Sequence, residues 1–176
     1  MPEATPVLQK MLKFVKLFAG FSEQDAADFL RVARSCQRQA GDFVLREGEF
    51  GSEAYIVASG QLRVLASCDG AEDELAVLGP GDTFGELGLL NLGPRSASVV
   101  AQTDVTLLRF DRLALASIPE VATRVLDNLV ALVAERLRAT SRSFVAARIT
   151  LARMSREPEP GEAAVPQLHG PRVLHR

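Results

Sequence analysis

From about Gln37 to Phe110 the apolar residues of this chain recur with a period of two, the pattern of strands with one buried face. Strand-like runs fall at Ser35–Ala40, Phe43–Arg46, Ala54–Ala58, Gln61–Ser67, Glu74–Leu78, Arg95–Ala101 and Val105–Phe110. Turn signals separate them: Gly41-Asp42, Glu47-Gly48-Glu49, Ser59-Gly60, Asp69-Gly70 and Gly79-Pro80-Gly81-Asp82. So many short strands with regular turns predict an antiparallel sandwich or jelly roll.

Helical spacing flanks this region on both sides. Leu8, Met11, Leu12, Val15 and Phe18, with lysines between them, predict a short amphipathic helix over 7–19 that packs on the barrel. Ser22 caps a second helix with Asp25 three residues on, and Ala26, Phe29, Leu30 and Ala33 form its buried stripe. After a short helix over Asp111–Ser117, Pro119 suits the first turn of another, so Ser117-Ile118-Pro119 is a candidate hinge. Nothing breaks the helix from Pro119 to about Met154, a length of about 50 Å. Its apolar residues Leu126, Leu129, Val133, Leu137, Thr140, Phe144, Ala147, Leu151 and Met154 step by three or four, a heptad seam with one stutter. A helix of that length projects beyond a small barrel, so the seam predicts a parallel homodimer. Six arginines along its second half read as a solvated face. From Glu157 onward, proline and glycine dominate, and the segment reads as a disordered tail.

The expected class is therefore α+β: N-terminal helices over 1–34, an antiparallel β-roll over 35–110, a hinge and long C-terminal dimerisation helix over 111–156, and a tail over 157–176. The 176 residues suit one domain with an appendage. A net charge of −2 argues against nonspecific nucleic-acid binding. Cys36 and Cys68 lack metal spacing and read as reduced cysteines of a cytoplasmic protein. His169 and His175 lie in the tail, so the roll has no histidine cluster for a metal enzyme. No nucleophile–base pair stands out, and neither an enzyme, a metal nor a cofactor is expected. No apolar run is long enough to span a membrane, and the N-terminus has no signal-peptide pattern.

Residues 84–99 have the composition of an anion site. Gly85 and Gly88 let the backbone approach a ligand and adopt angles other residues resist. Glu86 to Leu90 reads as one helical turn, whose first amides lack partners within it. Arg95 supplies a planar fork that matches a phosphate, and Ser96 a hydroxyl. A carboxylate beside a phosphate repels it, so the natural partner of Glu86 is a sugar hydroxyl. Phosphate and ribose read within a dozen residues mean a nucleotide.

The pattern Gly85-Glu86-Leu87-Gly88-Leu89 followed by Arg95-Ser96-Ala97 resembles the phosphate-binding cassette of cyclic nucleotide-binding domains. The strand succession, including Ala40-Gly41-Asp42 and Pro80-Gly81-Asp82-Thr83-Phe84-Gly85, resembles that family's β-roll over roughly residues 12–150. The resemblance implies a receptor whose ligand is cyclic AMP. Gly85, Glu86, Leu87, Arg95 and Ser96 hold the ribose phosphate, and apolar strand residues such as Val64 and Val77 line the base and sugar. Arg136-Leu137-Arg138-Ala139-Thr140-Ser141 resembles the dimerisation helix of the catabolite activator protein, which implies that Thr140 and Ser141 read the base edge, Ser141 across the dimer. Where that protein carries its helix-turn-helix domain this sequence has only the tail, so a stand-alone dimer signalling through an unknown effector protein is expected, without DNA binding. Ser98 stands where some relatives place a bulkier residue, and no aromatic lid is evident. Cyclic GMP or another nucleotide, since Ser96 suits a guanine amino group, and a dimerisation module with a vestigial pocket are the alternatives.

Overall fold

The computed structural model describes residues 11–68, 70–90 and 93–154. Leu8 and the tail over 157–176 lie outside them. Among the described residues eight strands are present: β1 (Arg34–Arg38), β2 (Phe43–Leu45), β3 (Glu53–Ser59), β4 (Leu62–Cys68), β5 (Ala71–Leu78), β6 (Thr83–Phe84), β7 (Ser98–Ala101) and β8 (Val105–Asp111). They form two antiparallel sheets, ordered β1-β8-β3-β6 and β2-β7-β4-β5. The helices are α1 (Glu23–Val32), α2 (Glu86–Leu89), α3 (Arg112–Ala116) and α4 (Pro119–Met154). The α+β class and the β-roll of the sequence reading are thus the observed architecture.

The alternation along β3 explains why this strand is central. Ala54 and Ile56 point into a core shared with the helices, where they meet Phe18, Phe29, Phe110, Leu115, Val121, Val125 and Leu129. Tyr55 and Val57 point the other way, into a second core closed by Leu45, Leu62, Leu78, Phe84, Val99 and Leu107 from both sheets. A strand buried on both faces reads as a continuous apolar run, which Ala54–Ala58 is.

Several expected boundaries move, each for a local reason. β1 stops at Arg38 because the next amides turn to side chains: Gln39 N–H donates to Asp42 and Ala40 N–H to Asp104. The strand expected from Arg95 starts only at Ser98, because Arg95 bonds the loop after β2. Its N–H donates to the Glu49 carbonyl (2.8 Å), and its carbonyl accepts from Gly48 N–H (2.9 Å). The helix expected over 7–19 is helical at 11–14 and then breaks at Val15 into a 3-10 turn over Lys16–Phe18. That turn buries adjacent Leu17 and Phe18 together, and Asn128 fastens it by donating to the carbonyls of Leu17 and Ala19. Two-residue β6 was not foreseen.

α4 starts at Pro119, as expected from its sequence, and is helical to Met154, the last described residue. Its core-facing stripe is Val121, Val125 and Leu129. Leu129, assigned to the dimer seam, is fully buried in the chain's own core and is not available to a second chain. The chain divides into two compact units, Met1–Arg136 and Leu137–Arg176. In the second unit residues 137–154 are helical and exposed throughout, Leu137, Phe144 and Leu151 among them. Among the described residues, no helix is long and apolar enough to cross a membrane.

At the start of α1, Ser22 and Asp25 form a complete capping box, aspartate serving where glutamate is usual. The Ser22 hydroxyl and N–H both donate to Asp25 Oδ2, at 2.7 and 2.8 Å, and hold its carboxyl below the ordinary carboxylate range. A depressed native pKa contributes stability above the unfolded value, lost as pH falls through the native one. Ser22→Ala is expected to cost about 1 kcal/mol in urea unfolding at neutral pH. The difference from wild type should shrink on acidification.

Candidate functional site

A cavity of about 190 Å³ opens between α2, the segment 95–97 and the second sheet. One wall is apolar, built from Leu45, Val64, Ala76, Leu78 and Val99; Gly85, Glu86, Leu87, Gly88, Arg95, Ser96 and Arg136 complete it. Six of the residues read from the sequence therefore meet in one place: Gly85, Glu86, Leu87, Arg95, Ser96 and Val64. Val77 does not join them. Val64 pairs with Ala76 across the β4–β5 ladder, which brings Ala76 into the wall and leaves Val77 outward, 48% exposed. Ser98 also lies outside; its hydroxyl accepts from Glu47 N–H at 3.0 Å and serves the strand. Thr140 and Ser141 belong to the second unit, where both are exposed on the helix.

Gly85 caps α2 in the left-handed region (φ 79°), where a side chain would be strained. The turn it starts is one turn long, so the Glu86 and Leu87 amides have no acceptor within it. The glycines do a second job that the sequence reading did not foresee: they make room for Arg95. A Cβ on Gly51 would lie 2.6 Å from Arg95 Nη2, and one on Gly88 2.5 Å from Nη1 and against the Gly51 carbonyl.

Arg95 is 6% exposed, and its donors can be accounted for one by one. Nη1 donates to the carbonyls of Glu53 (2.9 Å) and Gly85 (2.8 Å), and Nη2 to the Glu53 carboxylate (3.2 Å). That uses three of the five N–H groups. Nε–H and one Nη2–H remain without an acceptor among the described residues. Two such donors suit two oxygens of a phosphate.

Glu86 is also 6% exposed, and its carboxylate pairs with Arg136 of α4. Arg136 donates in addition to the Thr83 carbonyl. Arg136 is thus part of the site rather than of a solvated face, and its place just before Leu137 in the Arg-Leu-x-x-Thr-Ser run was the available signal. Glu53 had no such signal. Phe84, which also lines the cavity, stacks on Tyr55 (5.1 Å), and burial pushes the Tyr55 phenol up, Glu53 adding to the effect.

Residues 36–120 match the family described as the cyclic nucleotide-binding domain. The chain is 40% identical over 132 residues to the cyclic AMP receptor protein of Thermus thermophilus, covering 72% of this chain and 59% of that protein. Among solved structures it superposes on the Thermus thermophilus catabolite activator protein with a TM-score of 0.69 at 34% identity, covering 76% of this chain and 63% of that one. The regulatory domain of Toxoplasma gondii PKA, solved with cAMP, gives 0.59 at 34% identity, covering 67% of this chain and 46% of that one. Fold and family match together define a β-roll of the cyclic nucleotide-binding type. The chain belongs to the cyclic nucleotide-binding domain family and resembles the catabolite activator protein. It spans less than two thirds of the length of the curated relatives reported first.

The packing around the guanidinium can be checked by stability. Gly88→Ala should cost about 1–3 kcal/mol in urea unfolding, the range for overpacking. Gly79→Ala, where an added Cβ meets nothing within 4 Å, should be close to neutral.

Proposed function

We propose that this chain is a cyclic AMP receptor acting as a ligand-switched regulatory module rather than as an enzyme. The observation that carries the reading is the pairing, in one cavity, of an arginine with two unused donors and a buried carboxylate one short helix away. The cyclic phosphate takes the unused Nε and Nη2 donors of Arg95, with Ser96 and the Glu86 and Leu87 amides around it. Glu86 accepts from the ribose 2′-OH, and a 2′-deoxy ligand leaves that buried carboxylate with one bond fewer. The base lies along Val64, Ala76 and Leu78. Thr140 and Ser141 as base-edge contacts rest on the resemblance of the Arg136–Ser141 run.

Occupancy can reach the helices through packing. Leu89 of the cassette sits in the same core as Leu115, Val121, Val125 and Leu129, with Ile118 of the hinge against it. A ligand that binds two arrangements of these residues unequally shifts their populations. Homodimerisation through the second half of α4 is supported by Leu137, Phe144 and Leu151, exposed at seven-residue intervals. Signalling to a protein partner in the cytoplasm completes the proposal. Ser96 in the cavity wall favours cyclic GMP as the second reading.

Calorimetric titration with cyclic AMP, cyclic GMP and 2′-deoxy cyclic AMP tests the receptor. Cyclic AMP should bind tightest and the deoxy analogue about tenfold more weakly. Arg95→Ala should weaken binding by about 100-fold or more, since it removes two charge-assisted bonds. Unchanged affinity in Arg95→Ala contradicts the site. For the dimer, sedimentation should show two chains in wild type and one in Phe144→Asp; a monomeric wild type contradicts it.

A further inference from the structure

The cavity carries two ion pairs, and their sum is zero. Arg95 is matched by Glu53, at 3.2 Å, and Arg136 by Glu86. An anion that enters finds each of these guanidinium groups already matched by a carboxylate. It also finds the Glu53 carboxylate already on Nη2, the same nitrogen whose second proton it must use. The guanidinium cannot swing aside to separate the two anions. Gly51, Gly85 and Gly88 close around it, and two backbone carbonyls hold Nη1.

We propose that Glu53 is a specificity-determining residue that sets the charge of the anion accepted, favouring a singly charged cyclic phosphodiester over a doubly charged phosphomonoester. The inference rests on the cyclic nucleotide reading above and names what the site rejects. Repulsion between Glu53 and the ligand scales with the ligand's charge, and burial makes it larger than in water. A cyclic phosphodiester has one negative charge and no second ionisation. A phosphomonoester carries about −1.5 to −2 at pH 7, its second pKa being about 6. Glu53 therefore opposes 5′-AMP more strongly than cyclic AMP. A role limited to holding Arg95 would act on both ligands alike, and the carbonyls on Nη1 continue to hold the guanidinium when only the Glu53 side chain changes.

The test is the ratio of the dissociation constants of 5′-AMP and cyclic AMP for the full chain and for Glu53→Gln, at pH 7.5. The ratio should fall about tenfold in the variant. A ratio that does not change, or equal shifts in both constants, overturns the proposal. A second measurement needs no variant. Lowering the pH of wild type to about 5.5 protonates much of the 5′-AMP monoester but not cyclic AMP, so the discrimination should narrow. Discrimination that stays constant also overturns the proposal. Failure of wild type to bind cyclic AMP at all instead removes the receptor reading on which it stands.

Discussion

A guanidinium buried to 6% exposure is the constraint around which the cassette is arranged. Taking such a charge out of water costs several kcal/mol unless it is paired and hydrogen-bonded. The fold meets that requirement from three directions. The loop before β3 gives Gly51, β3 gives both the carbonyl and the carboxylate of Glu53, and the turn into α2 gives the Gly85 carbonyl. None of these groups accepts from Nε. The side chain is fixed before any ligand arrives, so little ordering remains for binding to pay.

The second buried charge ties this arrangement to the helices. Glu86 begins α2 and pairs with Arg136, which lies on α4 and also donates to the carbonyl of Thr83 in β6. One guanidinium thus joins distant α4 to the adjacent β6 and α2. On the other side of the same short turn, Leu89 enters the core formed with Leu115, Val121, Val125 and Leu129. The polar face of α2 looks into the cavity while its apolar face packs on the helical core.

Much of this was legible in the residues themselves. The double-sided burial of β3 is written in its unbroken apolar run, and the start and helical run of α4 in Pro119 and the breaker-free stretch that follows. The six cavity residues read from the cassette and from Val64 are neighbours in space because their partners lie within it or on one strand. What escaped were partnerships across the fold. Glu53 looks like any acidic residue at a strand start, and only the β3–α2 approach puts it on Arg95. Arg136 was hidden in a run of arginines. Leu129 fits a heptad seam as well as a core stripe, and the choice depends on where the barrel lies. Val77 is the more apolar choice on β5, but Ala76 is the residue that shares a face with Leu78, two positions on, and pairs with Val64.

The measurement that bears most directly on this account is a crystal structure of the chain with cyclic AMP. The account predicts phosphate oxygens within hydrogen-bond distance of Arg95 Nε and Nη2, the ribose 2′-OH on Glu86, and Nη1 still on the carbonyls of Glu53 and Gly85. A ligand bound elsewhere, or a phosphate that reaches Arg95 only after the guanidinium has left those carbonyls, would contradict it.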